Sequence, residues 1–126
     1  MNTFTTSLSV DDTIEKLKAG VDAENMRVVA HINGQANAAK MGKTVPGDQI
    51  LEIFRPDFAI RVWQACKPAG HDIPLRIHVY EEDGTTHVAC RMPTEVFGPY
   101  ASPALMEVGT ELDDIFGNIL ATVSGA

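Results

Sequence analysis

Long apolar runs, paired cysteine motifs and late basic residues are all missing from this 126-residue chain. No stretch approaches the roughly 18 apolar residues that a membrane span needs, so no membrane is expected among its partners. The opening MNTFTTSLSVDD lacks a basic region followed by an apolar stretch, so no secretory signal is expected and a cytoplasmic location is. The two cysteines, Cys66 and Cys90, form no Cys-x-x-Cys pair and lack zinc-type spacing. Free buried thiols packing as small hydrophobes are expected rather than a disulfide. No Lys or Arg follows Arg91, and the net charge is −7. Such a surface repels phosphate backbones, so nucleic acid is not an expected partner.

Catalytic signatures are missing as well. The chain has no Gly-x-Gly-x-x-Gly after a strand, no Walker loop, no Gly-x-Ser-x-Gly elbow and no His-Glu-x-x-His. Asp11-Asp12 and Asp113-Asp114 fall on helix surfaces and read as solvated carboxylates. Glu81-Glu82-Asp83 reads as a solvated turn that also blunts a sheet end.

What is present is one domain, residues 1–126, with 44% hydrophobic residues to build a core. Phe4 to Leu8 suits a first strand. Ser9 and Asp12 form a capping-box-like start to a helix whose apolar stripe is Val10, Ile14, Leu17 and Val21. MRVVAHI is a second strand, Asn33-Gly34 a turn, and QANAAKM a short helix. KTVPGD is a loop before the strand ILEIFR, and Pro56-Asp57 opens a helix with Ala59, Val62, Trp63 and Cys66 inward. KPAGHD reads as a second loop. PTEVFGPYASP, with three prolines, reads as irregular or only briefly helical, and an amphipathic helix runs from Met106. The expected class is α+β, a curved and mainly antiparallel sheet of about five strands with helices packed on one face.

LRIHVYEEDGTTHVACRM, residues 75–92, is the most informative stretch. Its Asp83-Gly84 connection marks a two-residue hairpin turn, which sets the register outward from Glu82 opposite Thr85. Val79 then meets Val88, Ile77 meets Cys90 and Leu75 meets Met92 on the core side. On the other side Tyr80 faces His87, His78 faces Ala89 and Arg76 faces Arg91. Directly opposed like charges destabilise a sheet by up to about 1 kcal/mol. The two arginines therefore call for an anion, from Glu52, from a neighbouring subunit, or from a ligand's carboxylate or phosphate. Arginine's planar fork suits each.

DDTIEKLKAGVDAENMRVVAHI, ILEIFRPDFAIRVWQA and DIPLRIHVYEEDGTTHVA resemble the family catalogued as domain of unknown function 302, over roughly residues 5–123. Ile73-Pro74-Leu75 entering the hairpin is the most specific piece. The resemblance implies a fold similar to the TATA-binding-protein-like group and a tendency to form dimers, without implying DNA binding. Two departures stand out. Asn33-Gly34 replaces a frequent Asp-His, and Phe54-Arg55-Pro56 replaces a frequent Gly-Asn-Pro.

The leading functional expectation is a small homodimeric binding module that takes an acidic small molecule on the open sheet face. Its ligand-binding candidates are Arg76, His78, Tyr80, His87 and Arg91. Haem b is the sharpest version, with His78 or His87 on iron, Arg76 and Arg91 on propionates, and Phe54 or a methionine lining the pocket. The alternatives are a purely structural dimer that buries this face and a small enzyme with a histidine general acid or base. No third residue to orient such a base is evident. His31 and His71 read as incidental.

Overall fold

A computed structural model describes residues 1–125. Five strands, β1 (Asn2–Thr6), β2 (Arg27–Asn33), β3 (Asp48–Phe54), β4 (Leu75–Glu82) and β5 (Thr85–Cys90), form one sheet. Its order is β1-β5-β4-β3-β2, with every neighbouring pair antiparallel. Helices α1 (Val10–Ala23), α3 (Pro56–Ala65) and α5 (Pro103–Ser124) cover one face. Short helices α2 (Gly34–Ala39) and α4 (Pro93–Phe97) and two 3-10 turns complete the chain. The α+β class and the five-stranded antiparallel sheet agree with the sequence expectation.

The core follows from strand alternation. Leu75, Ile77 and Val79 of β4 and Val88 and Cys90 of β5 are buried against Ile14, Leu17, Val62, Phe116 and Ile119 of the helices. Ser9 caps α1, its hydroxyl accepting from the Asp12 amide at 3.0 Å. At the hairpin tip Asp83 and Gly84 both take positive φ, 53° and 75°, the twist that a two-residue connection requires.

Several boundaries move for identifiable reasons. The first strand is Asn2–Thr6 rather than Phe4–Leu8, because Thr6 pairs with Thr86 and the chain must then turn to the Ser9 cap. KPAGHD is a 3-10 helix, not an open loop. The proline-rich segment is mostly helical. Pro93 and Pro103 occupy first-turn positions of α4 and α5, where a missing N–H costs nothing. Hence α5 begins at Pro103, capped by the Ser102 hydroxyl at 3.2 Å from the Leu105 amide, rather than at Met106. Asp113 is not simply solvated, for its carboxylate accepts from the Thr94 amide at 3.0 Å and the Thr94 hydroxyl at 2.7 Å, tying α4 to α5.

Candidate functional site

The open face can be read row by row from the register. Ile32, Ile50, His78, Ala89 and Thr3 lie across the sheet in one row, and Ala30, Glu52 and Arg76 in the next. Asp48, Tyr80, His87 and Thr5 make a third. Tyr80 faces His87, His78 faces Ala89, Val79 faces Val88 and Ile77 faces Cys90, as the hairpin register requires. The expected Arg76–Arg91 and Leu75–Met92 pairs do not form. The ladder stops at Ile77–Cys90, because the chain leaves it to start α4 at Pro93. The Met92 amide donates to Glu95 Oε1 at 3.2 Å instead of to a strand.

Both arginines nonetheless reach one place. A cleft of about 450 Å³ opens at the root of the hairpin, where the chain enters β4 and leaves β5. Ile50, His78 and Ala89 form its sheet wall. Arg76 and Arg91 stand on it with His71 and Asp72 from the 3-10 turn, and Val96 of α4 adds an apolar edge. The volume lies within the range of small-molecule sites, about 300–1,000 Å³. Arg76 Nη2 is 3.4 Å from Glu52 Oε1, a long contact for a side chain that is 62% exposed. Glu52 thus supplies one of the three expected anions, and to Arg76 alone. Arg91 forms no ion pair among the described residues. Its near carboxylate, Glu95, is taken by the chain's amino group at 2.5 Å, which holds Glu95 below the usual carboxylate range.

His78 is organised from behind. Its Nε2 lies 2.8 Å from Asp48 Oδ1. An ionised carboxylate only accepts, so Nε2 carries the proton and the neutral ring keeps its lone pair on Nδ1. The ring also stacks on Tyr80, centroids 4.7 Å apart, and Tyr80 stacks on His87 at 5.0 Å. Tyr80 and His87 therefore form a backing for His78 and do not line the cleft.

Three sequence-based assignments change here. Asp48 is the orienting residue that was not evident, placed by the β3–β4 register diagonally across from His78. His71, read as incidental, lines the cleft. Phe54 does not; it borders a shallow apolar depression with Phe58 and Met26, at the same end of β3 but on the helix-covered side. The methionine at the cleft is Met1. His31 stays outside, its Nε2 2.6 Å from Oε1 of the buried Gln49, whose Nε2 donates to Asp11 Oδ1 at 2.7 Å.

Cys66 and Cys90 are free, as expected. Cys90 is buried, and burial pushes its thiol up to about 12. No group of three or more His, Cys, Asp and Glu side chains is placed to hold a metal ion among the described residues. Among the described residues no helix is long and apolar enough to cross a membrane.

These features define a class of open-faced α+β protein, one face of an antiparallel sheet sealed by helices and the other presenting a cleft. The chain belongs to the family described as Domain of unknown function DUF302, whose model matches residues 2–123. It is similar to a crystal structure of an uncharacterized conserved DUF302 protein from Bacillus stearothermophilus, with a TM-score of 0.86 and 26% sequence identity. That similarity covers 97% of this chain and 96% of the other. No curated protein matches the chain.

Proposed function

We propose that the protein is a small homodimeric binding module whose hairpin-root cleft takes a small carboxylate with an apolar body. One observation carries the reading. In a chain of net charge −7, Arg76, Arg91, His71 and His78 converge on one cleft, and Arg91 has no ion-pair partner among the described residues. A guanidinium in that position gains a bidentate partner when a carboxylate enters. Ile50, Ile73, Ala89 and Val96 supply apolar contact for the rest of such a ligand.

A small carboxylate fits these features better than haem b. Of the two histidines expected on iron, His87 lies outside the cleft, and His78 could offer iron only Nδ1 because Asp48 holds its Nε2. The homodimer belongs to the same proposal. Val29 is 51% exposed and Ile32 44% exposed on the outer strand β2, an apolar strip that a second copy would cover. Cytoplasmic location is the setting in which free Cys66 and Cys90 would persist.

Isothermal titration with benzoate, citrate and haemin tests the ligand class, alongside the Arg76→Ala/Arg91→Ala double variant. Saturable carboxylate binding that the double variant loses is expected. Saturable haemin binding with no carboxylate binding would replace the small ligand by haem, and no binding by any probe would leave the structural dimer. Sedimentation over a wide concentration range should show a dimer, and a monomer throughout would remove that part.

A further inference from the structure

We infer that the cleft is a proton-transfer site, in which Nδ1 of His78 acts as general base on a small 2-oxo acid held by Arg76 and Arg91. This rests on the carboxylate-binding reading above and adds chemistry to it. Three observations point the same way. His78 lines the cleft, while its Nε2 is held by Asp48 at 2.8 Å, leaving the lone pair on Nδ1. Nδ1 makes no hydrogen bond among the described residues. The ring is clamped from one side by the Tyr80–His87 stack, so its direction is set before a ligand arrives.

The lining also narrows the reaction. No Ser, Thr, Cys or Lys side chain lines the cleft, and the α-amino group of Met1 at its edge is held by Glu95, so no hydroxyl, thiol or free amine stands ready as a nucleophile. What it does hold, beside His71 and Asp72, is a base and two guanidinium groups. A 2-oxo acid needs those parts for enolisation. One arginine binds the carboxylate. The base removes a proton from the carbon beside the ketone, and the C–H electron pair becomes the new C=C bond. The carbonyl π pair moves onto oxygen, where the second guanidinium stabilises the developing negative charge. The imidazolium, after exchanging its proton with solvent, returns one to the same face of that carbon; the C=C pair forms the new C–H bond and the oxygen pair re-forms the carbonyl, with no oxidant or cofactor needed. Asp48 is a positioning residue, because it touches His78 and not the cleft.

The test follows solvent deuterium entering C3 of 2-oxobutyrate and phenylpyruvate by proton NMR, with binding of each acid measured in parallel by titration calorimetry. Exchange above the protein-free rate is expected, falling at least about 100-fold in His78→Gln, the lower end of what a general base contributes. Binding should remain saturable in that variant and weaken far less than exchange, because Arg76 and Arg91 hold the carboxylate. Asp48→Asn should lower kcat for exchange with little change in KM, and the nitrogen-15 spectrum of His78 should show loss of the Nε2–H tautomer. Binding without exchange in the wild type would overturn the proton transfer and leave the binding module standing. Exchange unchanged in a folded His78→Gln variant would overturn the assignment of the base. If that variant does not fold, Asp48→Asn decides, since unchanged exchange with a changed tautomer contradicts the mechanism. Failure to bind either acid, or benzoate and citrate, would overturn both readings.

Discussion

Gln49 is the buried polar side chain whose replacement is most informative. It is 2% exposed, on the core face of β3 beside Leu51 and Ile53, where alternation calls for an apolar residue. Its amide bridges two surface groups, accepting from His31 and donating to Asp11 in the first turn of α1. Gln49→Met keeps the length of the side chain and removes both bonds. A neutral hydrogen bond contributes about 1 kcal/mol and one to a carboxylate about 1.5–3. His31 and Asp11 are exposed and regain water, so the lower figures apply and the loss is about 2.5 kcal/mol. Burying a methionine side chain returns about 1.5–3 kcal/mol. Gln49→Met should therefore unfold within about 1 kcal/mol of the wild type. Gln49→Ala loses the bonds and gains no burial, and it leaves a gap of the kind that costs about 2–5 kcal/mol for large-to-Ala changes. It should fall by about 4.5 kcal/mol or more. Urea unfolding of the three proteins, fitted with a common slope, measures both differences. Equal losses in Met and Ala variants would show that the bridge, not the volume, holds α1 to the sheet. A silent Ala variant would refute the packing argument itself.

Two further outcomes concern stability. Asp113→Ala removes the acceptor of both Thr94 bonds and leaves the Thr94 amide in the first turn of α4 without a partner, so it should cost about 1–2 kcal/mol in urea unfolding, and Asp113→Asn less. Cys90 should make stability fall at alkaline pH. Its thiol titrates near 12 when folded against an ordinary 9.0, so above pH 9 the unfolded chain binds fewer protons than the folded one and unfolding is favoured. That contribution is fully present below pH 9 and declines by about 1.4 kcal/mol per pH unit toward pH 12. Cys90→Ala should lack this alkaline decline, which unfolding curves at pH 8 and about 10.5 would reveal as a difference of about 2 kcal/mol.

Much of the scaffold was legible because period and turn chemistry agree locally. The hairpin is the strongest case. Asp83-Gly84 sets the turn, the turn sets the register, and the register sends Leu75, Ile77 and Val79 inward. Helix starts marked by Ser9 and Pro56 were equally readable. The proline-rich segment misled because proline both breaks helices and begins them. Ser102-Pro103 is a start signal whose meaning depends on the following residues docking as a helix.

The site was only half legible, and the reason is the distance in sequence between its parts. Arg76 and His78 could be placed on the open face from alternation alone. Asp48 could not be joined to His78, because they lie 30 positions apart and meet only through the β3–β4 register, which nothing between Phe54 and Leu75 encodes locally. A bulge in β2 has a similar effect. Simple alternation puts Val28, Ala30 and Ile32 on one face, but the register shifts between Val28 and Ala30. Val28 then stays opposite core-facing Ile53, while Ala30 and Ile32 pair with Glu52 and Ile50 on the open face. The same shift puts His31 in register with core-facing Leu51 and lets it reach Gln49. One extra residue thus removes a histidine from the open face and adds an isoleucine to the row that includes His78. The bulge shapes the β2 edge of the open face, while the cleft's sheet wall of Ile50, His78 and Ala89 follows from the β3–β4–β5 register.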